Sequence, residues 1–282
     1  MRPDLETVLA AADATIGRGE VREPRGGVRV GVDLGTAYTV VVAVDDDGLP
    51  VAGATRPAEV VRDGVVVDFV GARQLVAELR EDVSARLGLP LESAAACFPP
   101  GVGAGEVQAV RYVVEGAGMA CSALVDEPTA ANAVLGITDG AVVDVGGGTT
   151  GTAILRDGQV LATLDEPTGG THLTLVIAGA CGISVDEAER RKTDPAEQER
   201  LLGVVRPVLD KIGTIVGGHI NGHRVEAVHL VGGTSAFPGI AEIVGAACGV
   251  PARVPGNPLF VTPLGVALFD GAALPVTAKA SP

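Results

Sequence analysis

The sequence predicts an α/β fold made of two duplicated lobes. Apolar runs with the length of strands alternate with segments that have helical spacing, which is the pattern of α/β proteins. An apolar strand, an Asp-x-Gly turn, hydroxyl residues and a returning strand occur at residues 30–42 and again at residues 141–154. This internal repeat indicates that each lobe opens with its own strand–turn–strand unit.

The first lobe is predicted to span residues 28–137, after a flexible tail at residues 1–27. Asp47-Gly48 and Asp63-Gly64 are typical of tight turns between strands. Apolar spacing predicts strands at 28–35, 39–44, 94–98 and 122–127, and helices at 71–88, at 105–117 and from Pro128 onwards.

The second lobe is predicted to span residues 138–258, and a C-terminal helix at residues 259–282 is expected to complete the first lobe. The longest predicted helix has apolar residues at three- and four-residue steps, and Asn221-Gly222 is a typical end for it. The expected strands lie at 141–148, 150–155, 159–164 and 226–233 and around Val250, and the expected helices at 170–181, after Ser184, at 195–220, from Pro238 and at 263–270.

Composition excludes several classes of protein. Lys and Arg number 21 against 35 Asp and Glu, a net charge of −14, which argues against nucleic acid or an anionic membrane as a partner. The sequence has neither a membrane-spanning apolar run nor a signal-peptide pattern, so we expect a cytoplasmic protein. Cys97, Cys121, Cys181 and Cys248 lack metal-ligand or redox spacing, so we expect buried, reduced thiols.

The first turn that can carry chemistry begins at Asp33. Its Gly35 allows a phosphate to approach the main chain, and the N–H groups around Thr36 and Ala37 can form an anion nest. Thr36 and Thr39 add hydroxyl donors, while the Asp33 carboxylate suits a water molecule on Mg²⁺. Taken alone, this turn is equally compatible with an ordinary hairpin.

The second turn, which begins at Asp144, is more specific. Three consecutive glycines, Gly146, Gly147 and Gly148, are entropically costly, and packing does not readily explain them at the end of a buried strand. Backbone contact with a triphosphate is the better account. The hydroxyl of Thr149 or Thr150 can donate to the γ-phosphate, and Asp144 is a second candidate for a water-mediated Mg²⁺ contact.

A third glycine turn, Gly232-Gly233-Thr234, follows an apolar strand and precedes a helix. Such a junction can place the N-terminus of a helix near a phosphate or the sugar of a nucleotide. A dinucleotide fold is not favoured, because the first two glycine turns lie between strands and not between a strand and a helix.

The order and spacing of the three turns resemble the phosphate-1, phosphate-2 and adenosine motifs of the actin/Hsp70/sugar-kinase superfamily. The resemblance implies a ribonuclease H-like fold, with mixed sheets flanked by helices in both lobes and ATP with Mg²⁺ between them. It implies catalytic roles for Asp33, Asp144, Thr149 and Glu127. Glu127 lies in a stretch that resembles the superfamily's connecting motif, whose glutamate positions the attacking water.

Two further stretches resemble nucleotide-binding segments of the superfamily. The turn with Gly169 and Gly170 is similar to the one that opens the nucleotide-side helix. Glu189 and Lys192 match the helix that holds ribose and adenine in bacterial actin relatives. The resemblance therefore implies that these four residues contact the nucleotide.

Residues 61–69, 98–101 and 205–208, together with the short chain, resemble the ethanolamine-utilisation EutJ family. The similarity covers nearly the whole chain from residue 31 to residue 268. It implies an Hsp70-like accessory or chaperone protein of ethanolamine catabolism, with a lyase or microcompartment enzymes as protein clients and association with bacterial microcompartments.

One departure from the superfamily concerns hydrolysis. Hsp70 ATPases place a lysine against the phosphates from the first lobe, whereas the lysines here are Lys192, Lys211 and Lys279. Arg62 or Arg73 is a possible replacement. Without a cation near the γ-phosphate, binding is expected to persist while hydrolysis, if it occurs, becomes slow.

Two other functions stay open at this point. A small-molecule kinase of the same superfamily needs a carboxylate aimed at a substrate hydroxyl, and an actin-like scaffold or filament protein needs complementary end surfaces without significant turnover. His219 and His223 have the spacing of a metal pair on a helix, but a third ligand is missing, so we expect no metal there.

Overall fold

The structure is a computed structural model that describes residues 3–271. Its first element is helical: α1 (Leu5–Ala12) continues into a π-helical turn (Asp13–Gly17). Leu9 and Ile16 are each only 4% exposed, and the segment packs on the edge strand of the first sheet. The expected flexible tail over residues 1–27 is therefore wrong for this part, because its apolar face covers a strand edge.

The first lobe is built on a five-stranded sheet with the strand order β3-β2-β1-β6-β7. The first three strands are antiparallel, while β6 and β7 run parallel to β1. Helices α2 and α3 pack on this sheet, and a small β4–β5 hairpin precedes α2. The elements are β1 (Val28–Leu34), β2 (Tyr38–Asp45), β3 (Pro50–Pro57), β4 (Val61–Arg62), β5 (Val65–Val66), α2 (Phe69–Leu87), β6 (Ser93–Phe98), α3 (Ala104–Gly116) and β7 (Ala120–Asp126).

The second lobe repeats this topology. Its sheet has the order β10-β9-β8-β11-β12, with three antiparallel strands followed by two parallel ones. The elements are β8 (Gly140–Val145), β9 (Thr150–Arg156), β10 (Gln159–Glu166), α5 (Gly170–Cys181), α6 (Val185–Thr193), α7 (Pro195–Ile220), β11 (Val228–Val231), α8 (Ile240–Cys248) and β12 (Ala252–Arg253). The duplicated α/β fold is thereby confirmed.

Two helices connect the lobes. α4 (Glu127–Leu135) leads from β7 into β8, and α9 (Val261–Ala267) brings the chain back against β1. The helices cross so closely that a β-carbon on Gly265 would lie 1.8 Å from the carbonyl oxygen of Ala130. α9 is the described part of the predicted C-terminal helix at residues 259–282. Residues 272–282 of that helix lie outside the described residues.

Local sequence signals explain where α7 begins and ends. The Asp194 side chain accepts a hydrogen bond from the Ala196 N–H at 2.9 Å, and Pro195 occupies the first turn, where its missing N–H costs little. Gly222 adopts a φ of 82° just after the helix, a conformation that glycine tolerates. None of the helices within residues 3–271 is long and apolar enough to cross a membrane.

Candidate ligand-binding site between the lobes

A cavity of about 400 Å³ lies between the two sheets, at the ends of β1 and β8. This volume is within the range of small-molecule sites. Both lobes contribute to its walls. Of the residues singled out in the sequence, the following line it: Asp33, Gly35, Thr36, Ala37, Glu127, Asp144, Gly146, Gly147, Gly148, Thr149, Glu189, Lys192, Gly232, Gly233 and Thr234.

The two hairpins that face the cavity close in the same way. The Gly35 N–H donates to the Tyr38 carbonyl at 3.1 Å, and the Gly146 N–H donates to the Thr149 carbonyl at 3.0 Å. At the tips, between these pairs, the N–H groups have no main-chain acceptor within the described part of the chain. Each lobe therefore contributes N–H groups that remain free to donate at the cavity, as an anion nest requires.

The tips of the two hairpins are in contact. A β-carbon on Gly147 would lie 3.0 Å from the Ala37 β-carbon, and one on Gly148 would lie 2.7 Å from the Thr36 hydroxyl and 3.2 Å from the Asp63 nitrogen. The expectation that packing does not explain the glycine run is therefore wrong for Gly147 and Gly148. These positions need glycine because the opposite lobe approaches so closely.

Three carboxylates form the floor of the cavity. Burial raises the pKa of Asp33 to about 7, with a further contribution from the charge of Asp144. Burial also raises the pKa of Asp144 to about 6, although a hydrogen bond from Thr262 lowers it. Burial and the charges of both aspartates raise the pKa of Glu127 well above its ordinary value. Burial is the largest cause for all three carboxylates, and it opposes their ionisation.

These carboxylates fit a divalent cation. Within residues 3–271, none of Asp33, Glu127 and Asp144 forms an ion pair with Lys or Arg. Carboxylate oxygens are the ligands that Mg²⁺ prefers, usually alongside several waters. A cation among these acids would stabilise their charged forms, which burial disfavours.

Cys97 belongs to the same group of side chains. The ligand atoms of Asp33, Cys97 and Glu127 lie within 4.8 Å of one another. Burial raises the pKa of the Cys97 thiol well above its ordinary value, so the thiol is protonated and hydrogen-bonds the Asp33 carboxylate. From the sequence, Cys97 was expected to be only a buried, reduced thiol. Its position at the end of β6, which is parallel to β1, was the available signal for a place beside Asp33.

The other cysteines are also free thiols, but not all are buried. Cys121 is buried, Cys248 is half-buried and Cys181, the last residue of α5, is exposed. The prediction of buried thiols is therefore wrong for Cys181, because this side chain lies on the solvent side of an amphipathic helix.

Three residues expected at the nucleotide lie behind the second hairpin and not on the cavity wall. The Thr150 hydroxyl donates to the Thr168 carbonyl at 2.7 Å. The Gly170 N–H donates to the Gly146 carbonyl at 2.9 Å, and a β-carbon on Gly169 would lie 2.5 Å from that oxygen. The second hairpin is thus held by contacts with the start of α5, through Thr150, Gly169 and Gly170.

Lys192 and Glu189 pair with each other at the far end of the cavity. The Lys192 ammonium lies 2.6 Å from the Glu189 carboxylate and also donates to the Thr174 hydroxyl at 2.9 Å. Burial and, second, the Glu189 charge raise the pKa of Tyr38. Tyr38 belongs to the first lobe, so α6 and the first hairpin face each other across the cavity.

The suggested replacements for a phosphate-binding lysine are not at this site. Arg62 lies on β4 and Arg73 on α2, both are exposed, and neither lines the cavity. The Lys192 ammonium is engaged by Glu189. Within the part of the chain that the structure describes, the two hairpins therefore have no arginine or lysine between them.

The histidine pair does not form a metal site. His219 Nδ1 lies 2.9 Å from the Thr152 hydroxyl, whereas His223 follows the end of α7. Among residues 3–271, neither histidine joins a cluster of metal-binding side chains.

Two family models and several characterised proteins are similar to this chain. The family model "Cell division protein FtsA" matches residues 141–265, and "MreB/Mbl protein" matches residues 52–181. Ethanolamine utilization protein EutJ of Escherichia coli K12 is 40% identical over 239 residues, which is 84% of each chain. Cell shape-determining protein MreB of the same organism is 29% identical over 183 residues, 59% of this chain and 52% of MreB.

Solved structures agree with this result. The crystal structure of EutJ from Carboxydothermus hydrogenoformans superimposes with a TM-score of 0.89 at 47% identity, covering 94% of this chain and 98% of that one. MreB 5 of Spiroplasma citri bound to AMPPNP superimposes with a TM-score of 0.69 at 18% identity, covering 88% and 97%. The second likeness shows an actin-like fold alone.

Proposed function

Because the chain belongs to the family of ethanolamine utilization protein EutJ, we propose that it binds ATP together with Mg²⁺ in the cavity between its lobes. One observation carries the proposal. Two hairpins, one from each lobe, meet at tips whose N–H groups have no main-chain acceptor within residues 3–271, and three carboxylates, one buried and two half-buried, line the same cavity. Main-chain donors over a cation-binding floor match the charge pattern of a magnesium triphosphate.

The residues at the hairpin tips and the three carboxylates are proposed to bind different parts of MgATP. The N–H groups of Thr36, Ala37, Gly147 and Gly148 bind phosphate oxygens, and the Thr149 side chain faces the same space. Asp33, Glu127 and Asp144 would hold Mg²⁺, with waters between, and the bound ion would neutralise phosphate charge.

The far end of the cavity is proposed to hold the nucleoside. Glu189, Lys192 and the Gly232-Gly233-Thr234 turn line it, and the paired Glu189 offers acceptor oxygens to ribose hydroxyls. Thr150, Gly169 and Gly170 act indirectly, through the hairpin that they brace. MreB 5 of Spiroplasma citri, which has a similar fold, is bound to AMPPNP, which supports a nucleotide as the ligand.

Hydrolysis is proposed to be slow. No lysine or arginine within residues 3–271 lies between the hairpins, so the main-chain N–H groups and Mg²⁺ must balance the charge of the transition state. Removing one stabilising donor from such a site typically costs roughly 10²–10³-fold in rate.

Calorimetric titration of ATP in the presence of Mg²⁺ tests this function. Asp144→Asn removes a carboxylate charge from the cavity floor and should weaken MgATP binding at least tenfold, on the order of 1.4 kcal/mol. Asp157→Asn is the matched control, because Asp157 lies in the β9–β10 turn of the same lobe at a φ of 51°, which asparagine tolerates. Equal affinity of wild type and Asp144→Asn for MgATP would show that the nucleotide does not bind in this cavity.

The biological role proposed here is that of an accessory, chaperone-like protein of ethanolamine catabolism, acting at a lyase or at microcompartment enzymes in the cytoplasm. It rests on membership of the EutJ family. Closure of the lobes on ATP would change the surface offered to a client. Co-sedimentation of the purified protein with the lyase, with and without MgATP, tests it: nucleotide-dependent association is expected, and association that ignores nucleotide would contradict the switch.

A scaffold or filament role is a second candidate, because the structure superimposes on MreB 5 over 88% of the chain. Light scattering of micromolar protein with and without MgATP separates the two roles. Scattering that grows with MgATP would favour the scaffold, and constant low scattering would favour the accessory protein.

A further inference from the structure

Gln198, in the first turn of α7, is a polar residue of the cavity wall with no role in the site described so far. It is half-buried and lines the same cavity as Glu189 and Lys192. Its Nε2 donates a hydrogen bond to the main-chain carbonyl of Lys192 at 2.9 Å. This contact joins the start of α7 to the end of α6 and holds the Gln198 amide at the wall of the cavity.

The partner of this hydrogen bond determines how the Gln198 amide is oriented. A main-chain carbonyl accepts but cannot donate, so the NH₂ group of Gln198, and not its oxygen, must face Lys192. The Oε1 atom, on the other arm of the amide, has no hydrogen-bond partner within residues 3–271. It is also absent from the buried side-chain atoms that lack a partner. Gln198 therefore offers an accessible acceptor to a ligand.

The contacts of Lys192 place Gln198 at the end of the cavity that is far from the phosphate-binding hairpins. The Lys192 ammonium donates to the Gly170 carbonyl at 3.2 Å, and the Gly170 N–H donates to Gly146 of the second hairpin. The main-chain carbonyl of Lys192, at the opposite end of its side chain, holds Gln198. Gln198 thus lies farther from the hairpin than the ammonium does, on the side where the base of a nucleotide would follow the ribose.

Apolar side chains line the same cavity just after the third glycine turn. They belong to Ala236, Phe237 and Leu259. Binding sites of this kind hold a ligand against apolar walls and fix its orientation with a few polar atoms. A flat base can pack on these side chains, and the free Oε1 of Gln198 is a polar atom that can orient it.

A free acceptor distinguishes between two classes of purine. The exocyclic amino group of adenine is a donor, whereas guanine and hypoxanthine carry an acceptor oxygen at the corresponding position. The Gln198 amide cannot turn over to suit that oxygen, because its Oε1 would then face the carbonyl of Lys192. The fixed amide thereby disfavours an oxopurine as well as favouring adenine.

We propose that Gln198 makes the cavity specific for aminopurine nucleotides, because its Oε1 accepts a hydrogen bond from the exocyclic amino group of ATP. This inference rests on the proposed binding of ATP and adds the residue that selects the base. The same oxygen would repel the carbonyl of the base in ITP or GTP.

Calorimetric titration with three nucleotides, each with Mg²⁺, tests the proposal. They are ATP, purine riboside triphosphate, in which hydrogen replaces the amino group, and ITP, in which oxygen replaces it. Wild type should bind ATP about tenfold more tightly than purine riboside triphosphate, and ITP at least about tenfold more weakly than ATP.

Gln198→Met keeps the length of the side chain but removes both polar atoms. It should weaken ATP binding about tenfold, while the affinity for purine riboside triphosphate stays within about twofold of wild type. A merely structural role of Gln198 would weaken the binding of both nucleotides alike.

Gln74→Met is the matched control. Gln74 is exposed on α2, donates to Glu78 at 3.0 Å and lies outside the cavity wall. This variant should keep the preference of wild type for ATP, and thermal melting of both variants checks that the fold is retained. Equal affinity of wild type for ATP and purine riboside triphosphate, ITP binding as tight as ATP binding, or equal weakening of both nucleotides by Gln198→Met would each overturn the proposal.

Failure of this inference is distinguishable from failure of the proposed function. If wild type binds all three nucleotides with equal affinity, the role of Gln198 is overturned while the nucleotide site stands. If wild type binds none of them, both are overturned.

Discussion

Asp33 and Asp144 lie at the ends of the first strands of their lobes, and burial raises the pKa of each, with a contribution from the charge of Asp144 in the case of Asp33. Such an arrangement costs folding free energy when the acids ionise and is retained for what it can bind. The two residues are detectable in the sequence, since each follows a buried strand and precedes a glycine. Cys97 is not, because its contact with Asp33 joins two neighbouring strands that are distant in the sequence.

The free energy of unfolding should fall as pH rises in the absence of Mg²⁺ and nucleotide. The pKa of Asp33 is about 7 in the folded protein against 3.8 for the free side chain. Between these values the folded protein holds a proton that the unfolded chain has lost. Stability is therefore highest below the unfolded pKa and decreases as pH rises through the folded one.

Urea unfolding at about pH 4.5 and about pH 7.5 measures this effect. Asp33→Asn should stabilise the protein at the higher pH and change it little at the lower pH, whereas the control Asp157→Asn should show no such difference. Equal effects of Asp33→Asn at both pH values would contradict the raised pKa.

At the level of elements, the second hairpin depends on α5. The N–H groups of Gly170 and Thr171 donate to the carbonyls of Gly146 and Gly147 at 2.9 and 2.8 Å. The helix predicted at residues 170–181 is observed as α5, but Gly170 at its N-terminus was expected to contact a ligand. Sequence patterns indicate that a helix N-terminus has free N–H groups, but not which acceptor in the folded chain uses them.

Gly169→Ala should disturb this contact. The added β-carbon would lie 2.5 and 2.8 Å from the carbonyl oxygens of Gly146 and Gly147, which are main-chain atoms and cannot move alone. We expect a loss of about 1–3 kcal/mol in the free energy of unfolding, together with weaker ATP binding.

Gly179→Ala, on the exposed side of the same helix, is the matched control, since nothing lies within 4 Å of its β-carbon position. It should stabilise the protein by about 0.5–1 kcal/mol. Denaturant unfolding measures both variants, and equal effects would argue against a hairpin braced by α5.

The N-terminal helical segment is a structural element of the first lobe. The side chains of Val8, Leu9 and Ile16 are buried, and the π-helical turn that follows α1 packs on β3. The sequence led us to expect a flexible tail at residues 1–27, because it indicates no partner for this segment. The partner is the edge strand β3. Residues 3–17 and β3 are distant in the sequence, so no local pattern indicates that the helical segment packs on this strand.

Leu9→Ala should lower the free energy of unfolding by about 2–4 kcal/mol, because Leu9 is fully packed. Val21, at 47% exposure in the same N-terminal region, provides the control: Val21→Ala should change stability by less than about 0.5 kcal/mol. Chemical denaturation distinguishes a packed segment from a tail, for which both substitutions would be nearly neutral.

At the scale of the whole molecule, two similar sheets are joined by the crossing of α4 and α9. A buried cluster shared by α1, α4, α9 and strands of both sheets fills the space behind the cavity. The alternation of strands and helices and the repeated Asp-x-Gly turns predict two duplicated α/β lobes, whereas the mixed sheets and the returning helix were implied by the resemblance to the actin/Hsp70 superfamily. The contact between hairpin tips is not predictable in the same way, because it depends on how closely the lobes approach.

Asp270, which follows α9, forms hydrogen bonds with the first lobe. Its carboxylate accepts hydrogen bonds from the Val30 N–H at 2.9 Å and from the hydroxyls of Ser93 and Ser122 at 3.2 and 2.5 Å. These donors belong to β1, β6 and β7, so the buried carboxylate that follows α9 contacts three strands of the first sheet. The C-terminal connection is thereby held to the lobe that carries Asp33.

A crystal structure with MgAMPPNP would locate the nucleotide. We expect a triphosphate between the two hairpins, bound by the N–H groups of Thr36, Ala37, Gly147 and Gly148, with Mg²⁺ beside Asp33, Glu127 and Asp144. The hairpin tips, which are in contact in this structure, must then separate. A nucleotide bound elsewhere, or hairpins still in contact in a nucleotide-saturated crystal, would show that ATP does not bind between the hairpins.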